Sequence, residues 1–261
     1  MSCPFCYIPF KDTNPGNLED WKTIIDKISI YNPDIVTFGG GDPFKYKDFM
    51  ELLKYCKKYP FQVHIDSNLI GLHHQQISKM TSLVDIIGIP LDGDRDHHDQ
   101  IRNYKGHYEL ILKKLNLLSK AGIPVKINTV WFEEYEEQMF DIVEIINQYP
   151  CIKQWFIYEY WHFEGVNDKK ENYSSDINRL LSCLMSVSKI SDIHFCSVRE
   201  RSPAYIFVSS SGNLYTVGDD PHTYVELGNI LDSDSDIILS TLHNKKAIKE
   251  RTEIKQYSSH S

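Results

Sequence analysis

Between Asn17 and Tyr158 the chain repeats one pattern five times: a helical stretch, then a short β-rich run. The helical stretches carry apolar residues three and four apart, as in Leu18, Trp21, Ile24, Ile25 and Ile28 of the first, Asn17 to Tyr31. The pairs are Asn17–Tyr31 with Asp34–Phe38, Tyr46–Lys58 with Phe61–Ile65, and His73–Met80 with Val84–Ile89. His107–Lys120 with Ile123–Trp131 and Glu134–Gln148 with Ile152–Tyr158 complete the set. Strands separated by single helices cannot pair as hairpins. They form right-handed βαβ units, so the pattern predicts a parallel α/β sheet or barrel with ligands held beyond the C-terminal strand ends.

The residues that would sit at those ends are distinctive. Gly39-Gly40-Gly41-Asp42-Pro43 follows the first strand. Glycines let a backbone approach a ligand, and a carboxylate there suits an ammonium group, but Asp-Pro also reads as an N-cap followed by an N1 proline. Asp66-Ser67-Asn68 follows the second strand, where it suits hydroxyl groups or an Asx turn equally well. Pro90-Leu91-Asp92-Gly93 follows the third, with Arg102 further on, either solvated or facing a carboxylate. The adjacent His97 and His98 read as solvated loop residues.

Six cysteines lie at positions 3, 6, 56, 151, 183 and 196, and only the first two are close together. That is no disulfide framework, and it points to a reducing cytoplasm. Cys3-Pro4-Phe5-Cys6 brings two thiols to one metal from a single loop, a spacing shared by zinc ribbons, redox pairs and iron–sulfur loops. A formal charge of -8 argues against nucleic-acid polymers as partners, and no apolar run reaches the roughly 18 residues needed to span a bilayer.

In this order the segments resemble the radical S-adenosylmethionine (SAM) superfamily over roughly the first 160 residues. Cys3-Pro4-Phe5-Cys6 resembles the last two cysteines of the CxxxCx(aromatic)C loop, and Phe38–Phe44 the GGEP segment, with Asp42 for Glu. Ser67-Asn68 is similar to the SNG strand end, with Leu69 for the glycine, and Ile87–Arg102 to the "ISLDG…HD..R" stretch. The resemblance implies a partial (β/α)6 TIM-like barrel whose first strand is missing, a [4Fe-4S] cluster and SAM. It also implies an electron donor such as flavodoxin or ferredoxin. By position Cys3 and Cys6 are iron ligands. Phe5 and Tyr7 flank the cluster and adenine, Gly40, Gly41 and Asp42 receive the SAM amino group, Ser67 and Asn68 the ribose, and Arg102 the SAM carboxylate. The family's first cysteine would fall one residue upstream of Met1, and its first strand just before that. Both absences at one edge are expected from a chain that begins late, and two thiolates alone are expected to hold a [4Fe-4S] cluster poorly.

A narrower resemblance is to viperin-like enzymes, which dehydrate nucleotide triphosphates. Val125–Val130 resembles their "KINSV" strand, and Trp155–Gly165 the run that follows. It makes Lys126, Asn128 and Trp155 substrate-binding candidates and the substrate a small or nucleotide-like molecule. Lys126 alone is too little charge for a triphosphate. The aromatic run Trp155, Phe156, Tyr158, Tyr160, Trp161 and Phe163 reads as base stacking or as core packing, and Cys196 as a hydrogen donor or an ordinary buried thiol. The alternatives are a degenerate, non-catalytic barrel acting as a binding or partner subunit, and a peptide-modifying enzyme. Residues 1–165 are expected to form the barrel core. Residues 166–261 are expected as an α+β extension packed on it, with a hairpin turning at Ser210–Asn213 and a frayed polar tail.

Overall fold

The computed structural model describes residues 3–8, 16–132, 136–167, 177–202 and 205–232. Its main sheet has six strands, all parallel and paired in sequence order: β1 (Ile35–Phe38), β2 (Gln62–Asp66), β3 (Ile86–Pro90), β4 (Val125–Trp131), β5 (Ile152–Glu159) and β6 (Ile193–Cys196). The sheet curls into an open half-barrel of the expected type. Helices α2 (Phe49–Cys56), α3 (His74–Met80), α4 (Arg95–Ile101), α5 (His107–Lys120), α6 (Gln138–Gln148) and α7 (Ile177–Val187) occupy the crossovers.

Strand alternation divides the sheet into two chemically different faces. Val63, Ile65, Ile87, Ile89, Val125, Ile127, Trp155 and Ile157 are fully buried and form the helix-covered face, where Phe38 meets Phe49 of α2 edge-on at 5.4 Å. Their neighbours Asp66, Gly88, Lys126, Asn128, Phe156 and Tyr158 share the opposite, inner face.

The five expected strands are present. The sixth, Ile193–Cys196, is a correction, because four residues are too few to show an alternation, and its pairing with β5 makes it a strand. That pairing also carries the first compact unit, Met1–Ile8 with Asp34–Ser197, beyond the expected boundary at residue 165. The second unit comprises Pro9–Pro33 with Val198–Ser261. In it α1 (Leu18–Ser29), N-capped by the Asn17 side chain, packs Ile24 against Leu214 of the antiparallel sheet β7 (Ile206–Val208), β8 (Asn213–Val217) and β9 (Tyr224–Asn229), and against Ile230, which directly follows β9. The βα alternation assigns helix α1 to the barrel, yet its apolar stripe is spent here, and Lys27 Nζ donates to the Ile230 carbonyl at 2.8 Å. The β7–β8 hairpin turns where expected, with Gly212 at φ 88°. The polar tail 255–261 lies outside the described residues.

Candidate functional site

Every distinctive loop of the sequence lies at the C-terminal edge of the parallel sheet, because each follows a strand running the same way. The segment Cys3 to Ile8 joins this edge. Cys6 N–H donates to the Cys3 carbonyl at 3.1 Å, closing a turn that carries both thiols. Cys3 Sγ contacts the Arg102 carbonyl oxygen at 3.7 Å, and the Arg102 guanidinium lies 4.7 Å from the Phe5 ring centre. Phe5 meets Phe132 edge-on, its carbonyl accepts from Asn167 Nδ2 at 3.2 Å, and Tyr7 stacks on Trp161 at 5.6 Å. Burial pushes the Cys3 thiol above its ordinary pKa, and Arg102 opposes that shift. Among the described residues no group of three or more His, Cys, Asp or Glu side chains is placed to hold a metal ion. Cys3 and Cys6 fit two ligand positions of a cluster: both thiols are free, they share one turn, and a cation beside Cys3 favours its thiolate.

Asp42 departs from its expected role. Its Oδ1 accepts from Ser67 Oγ at 2.7 Å and from Phe44 N–H at 3.3 Å, and its Oδ2 accepts from Gly71 N–H at 2.6 Å. Both oxygens are committed to protein donors, so Asp42 clamps the β1 loop to the β2 loop and caps the 3-10 turn Pro43–Lys45. Gly71 is part of the clamp, since a Cβ there would lie 2.8 Å from Asp42 Oδ2 and 3.0 Å from the backbone of Phe44 and Lys45. Ser67 is equally engaged, donating to Asp42 and accepting from Leu69 N–H at 2.9 Å. Leu69 has the left-handed φ of 60°, a conformation that favours glycine. Asn68 makes the Asx turn, its Oδ1 accepting from Ile70 N–H at 3.0 Å, and among the described residues its amide NH2 has no acceptor. Gly40 and Gly41 have nothing within 4 Å of where a Cβ would stand, so the backbone there is open to a guest molecule. Replacing Asp42 by alanine strands one hydroxyl and two amide donors and is expected to cost about 2–4 kcal/mol by urea denaturation. Asp42→Asn, which keeps Oδ1 as an acceptor, should cost less than half of that.

Arg102 also departs from expectation. Its Nε and one terminal amino group donate to the two Asp92 oxygens at 2.6 and 3.0 Å, a bidentate pair in which Asp92 is fully buried. Burial alone would raise the Asp92 pKa, but the Arg102 charge and its hydrogen bonds hold the carboxyl below the ordinary carboxylate range. The carboxylate that Arg102 meets is therefore internal. Asp92 Oδ1 also accepts from Val130 N–H, tying β4 to this loop.

Behind Asp92 runs a pair of buried imidazoles. Asp92 N–H lies 3.2 Å from His98 Nδ1, His98 Nε2 lies 2.8 Å from His107 Nδ1, and His107 Nε2 lies 2.9 Å from the Asn68 carbonyl. A carbonyl only accepts, so a neutral His107 carries its proton on Nε2 and its Nδ1 accepts from His98 Nε2–H; His98 Nδ1 faces both the Asp92 N–H and, at 3.3 Å, the Asp92 carboxylate oxygen Oδ2. His98 is thus not a solvated loop residue. Asp94 N-caps α4 and turns His98 inward, and His98 and His107 are both fully buried. Burial lowers the His107 pKa to about 4.

On the inner face, Lys126 Nζ lies 3.4 Å from Asp66 Oδ1, and Asn128 Nδ2 donates to the same oxygen at 2.9 Å. Gly88 makes room for this cluster, because a Cβ there would overlap Asp66 Oδ1 and stand 2.6 Å from Asn128 Nδ2. Trp155, expected as a substrate contact, is instead core: it is fully buried on the helix-covered face and donates from Nε1 to Thr129 Oγ1 at 2.8 Å. Asp66 and Asp92 lie in the strand-end segments that the sequence marks, without a role of their own there, and His107 carries no local signal. The pairing of Asp66 with Lys126 and Asn128 is signalled by Gly88, an isolated glycine in an apolar strand, which marks a close approach of other groups.

Comparison with known proteins bears on the family and the fold. A family model described as the radical SAM superfamily matches residues 1–146. The sporulation killing factor maturation protein SkfB of Bacillus subtilis (strain 168) is 27% identical over 147 residues, covering 55% of this chain and 36% of its own length. An S-adenosylmethionine-dependent nucleotide dehydratase of Selenomonas ruminantium is 21% identical over 268 aligned positions, covering 94% of this chain and 92% of its own. Among solved structures, Streptococcus suis SuiB bound to its precursor peptide SuiA superposes with a TM-score of 0.68 at 17% identity, covering 82% of this chain and 55% of that one. The chain spans about a third of SkfB and about half of SuiB.

Proposed function

The chain belongs to the radical SAM superfamily, and from that premise we propose that it is an enzyme that cleaves SAM reductively and abstracts hydrogen from an organic substrate held on the inner face of the half-barrel. The observation that carries this reading is the docking of the Cys3–Cys6 turn onto the β3 loop through Arg102. It brings two free thiols to the edge where the open glycine backbone and the Asn68 amide also lie.

In this proposal Cys3 and Cys6 would hold iron of a [4Fe-4S] cluster, which, with an electron from a flavodoxin- or ferredoxin-type donor, would supply the one-electron reductive cleavage of SAM. Arg102 favours the Cys3 thiolate and holds the Phe5 ring. Phe5 and Tyr7, fixed by Phe132 and Trp161, exclude water from the loop. Backbone at Gly40 and Gly41 and the Asn68 amide receive polar groups of SAM, while Asp42 and Ser67 hold the two loops together. The inner face, with Lys126, Asn128 and Phe156, receives the substrate, a small or nucleotide-like molecule. The likeness to a nucleotide dehydratase over nearly the whole chain supports that class.

The test is anaerobic. Because two thiolates alone hold a cluster poorly, the protein tested carries an N-terminal extension that supplies a cysteine four positions before Cys3, and it is reconstituted with iron and sulfide, reduced with dithionite and assayed for 5'-deoxyadenosine from SAM. The expected result is SAM cleavage that falls more than 100-fold in Cys3→Ala and in Cys6→Ala, together with the iron–sulfur absorbance. Undiminished cleavage in those variants, or none in the extended protein that keeps Cys3 and Cys6, would overturn the proposal.

A further inference from the structure

The inner-face cluster has a charge balance that bears on what it can recognise. Lys126 is nearly enclosed, with a side chain 7% exposed, and the carboxylate of Asp66 is its ion-pair partner, so the two charges cancel. Lys126 also lies 5.1 Å from the centre of the Phe156 ring, a second contact that satisfies a cation without an anion. A phosphate entering here would meet one lysine already neutralised and a carboxylate beside it. Phosphate recognition needs uncompensated cations, and a neighbouring carboxylate repels the ligand.

The unused hydrogen-bonding capacity is specific. Asp66 Oδ1 is shared by Lys126 and Asn128, but among the described residues no donor reaches Oδ2, and the Asp66 side chain is 37% exposed. Asn128 Oδ1 is a buried carbonyl oxygen with no donor. An unpaired buried carbonyl is costly, so a rotation of the carboxamide that brings it to a donor is favoured. Lys126 keeps spare N–H groups. The cluster thus offers a guest one reachable acceptor, Asp66 Oδ2, and a Lys126 N–H donor beside it at zero net charge, next to the flat ring of Phe156. The complement is planar and uncharged, with an N–H donor next to a carbonyl.

We propose that Asp66, Lys126 and Asn128, seated over Gly88, form a charge-neutral recognition site for an amide-type edge of the substrate, and that Asp66 is the specificity residue that keeps phosphate groups out of this site. Such an edge is found in a peptide amide and in a nucleobase alike. The proposal deepens the one above, since it names the chemical class held on the inner face, and it narrows "nucleotide-like" to the base end of such a molecule.

Binding is measured on the full chain without cluster or SAM, so the outcome does not depend on radical chemistry. Three probes are titrated by calorimetry and saturation-transfer NMR: inorganic tripolyphosphate, a blocked dipeptide amide, and uridine. The expected result is that the unaltered protein binds one of the two amide probes and that tripolyphosphate binds at least ten-fold more tightly to Asp66→Asn than to the unaltered protein. The gain should vanish in Asp66→Asn combined with Lys126→Met. Which amide probe binds distinguishes a peptide from a base. Gly88→Ala, whose Cβ displaces the Asp66 carboxylate, is the second variant and should gain tripolyphosphate binding in the same direction. Equal tripolyphosphate affinity in all variants, or no binding of either amide probe to the unaltered protein, overturns the inference. If the expected pattern appears while 5'-deoxyadenosine formation fails, the recognition site stands and the enzymatic proposal falls.

Discussion

Replacing Asp92 by asparagine is expected to lower the free energy of unfolding by about 3–5 kcal/mol. The change is nearly isosteric, so packing is untouched, but the Arg102 guanidinium is left without its counter-charge at a site where its side chain is only 11% exposed. A buried ion pair is weak evidence of net stabilisation, yet breaking one half of it is costly because the other charge stays desolvated. Two controls separate these statements. Arg102→Met alone should cost a similar amount, because it strands the Asp92 carboxylate at a fully buried position. The double variant Asp92→Leu, Arg102→Met, which removes both charges, should recover part of the loss, the remainder being the Val130 N–H left without its acceptor. The loop consequence is also measurable: with Arg102 released from Asp92, Cys3 and Phe5 lose their docking partner, so iron uptake should weaken more than in a variant of equal stability elsewhere. A cost below about 1 kcal/mol for Asp92→Asn would show that the pair is solvated.

The second large effect is in pH. His107 in the fold has a pKa of about 4, below the ordinary value of 6.5, because burial penalises its charged form. A second proton would also set His107 Nδ1–H against His98 Nε2–H, breaking the imidazole chain at its middle. A depressed base means that the unfolded chain binds the proton first. Stability is therefore complete above about pH 6.5 and declines as pH falls towards 4, by about 3 kcal/mol for this residue. Asp92 acts in a lower window. Its depressed pKa contributes stability present above the ordinary Asp value of about 3.9 and lost on further acidification. Urea titrations at pH 7 and pH 4.5 should show the first loss in the unaltered protein and a flattened slope in His107→Gln, which keeps an N–H donor for the Asn68 carbonyl. An identical slope in both proteins would rule His107 out as the source.

These two groups show where sequence reasoning stops. Asp92 lies in the loop singled out after the third strand, but its partner Arg102 is ten residues away, across a short helix that carries too little apolar periodicity to be read. His98 looks like half of a solvated histidine pair until the Asp94 N-cap and α4 turn it inward against His107. Asp42 shows the opposite case. Its N-cap role was one of two open readings, and the structure realises it, adding two longer-range bonds, to Ser67 and Gly71, that no local pattern specifies. Trp155 fails for a third reason. Strand alternation assigns residues to two faces without saying which face the helices cover, and Trp155 falls on the covered one.

By itself the sequence determined the parallel α/β architecture and the edge at which the polar loops gather. Both follow from periodicity, which is a local property: helix and strand repeats of 3.6 and 2 residues leave a parallel sheet as the arrangement that buries the apolar positions. The tertiary structure alone decided what each polar side chain does. Whether Arg102 is free or paired, whether Lys126 is a bare cation or half of a neutral pair, and whether α1 packs with the barrel or with the β7–β9 sheet all depend on which residues distant in sequence are brought within a few ångströms. Hydrogen bonds and ion pairs act only at that range, so their partners are set by the fold and not by the neighbourhood along the chain.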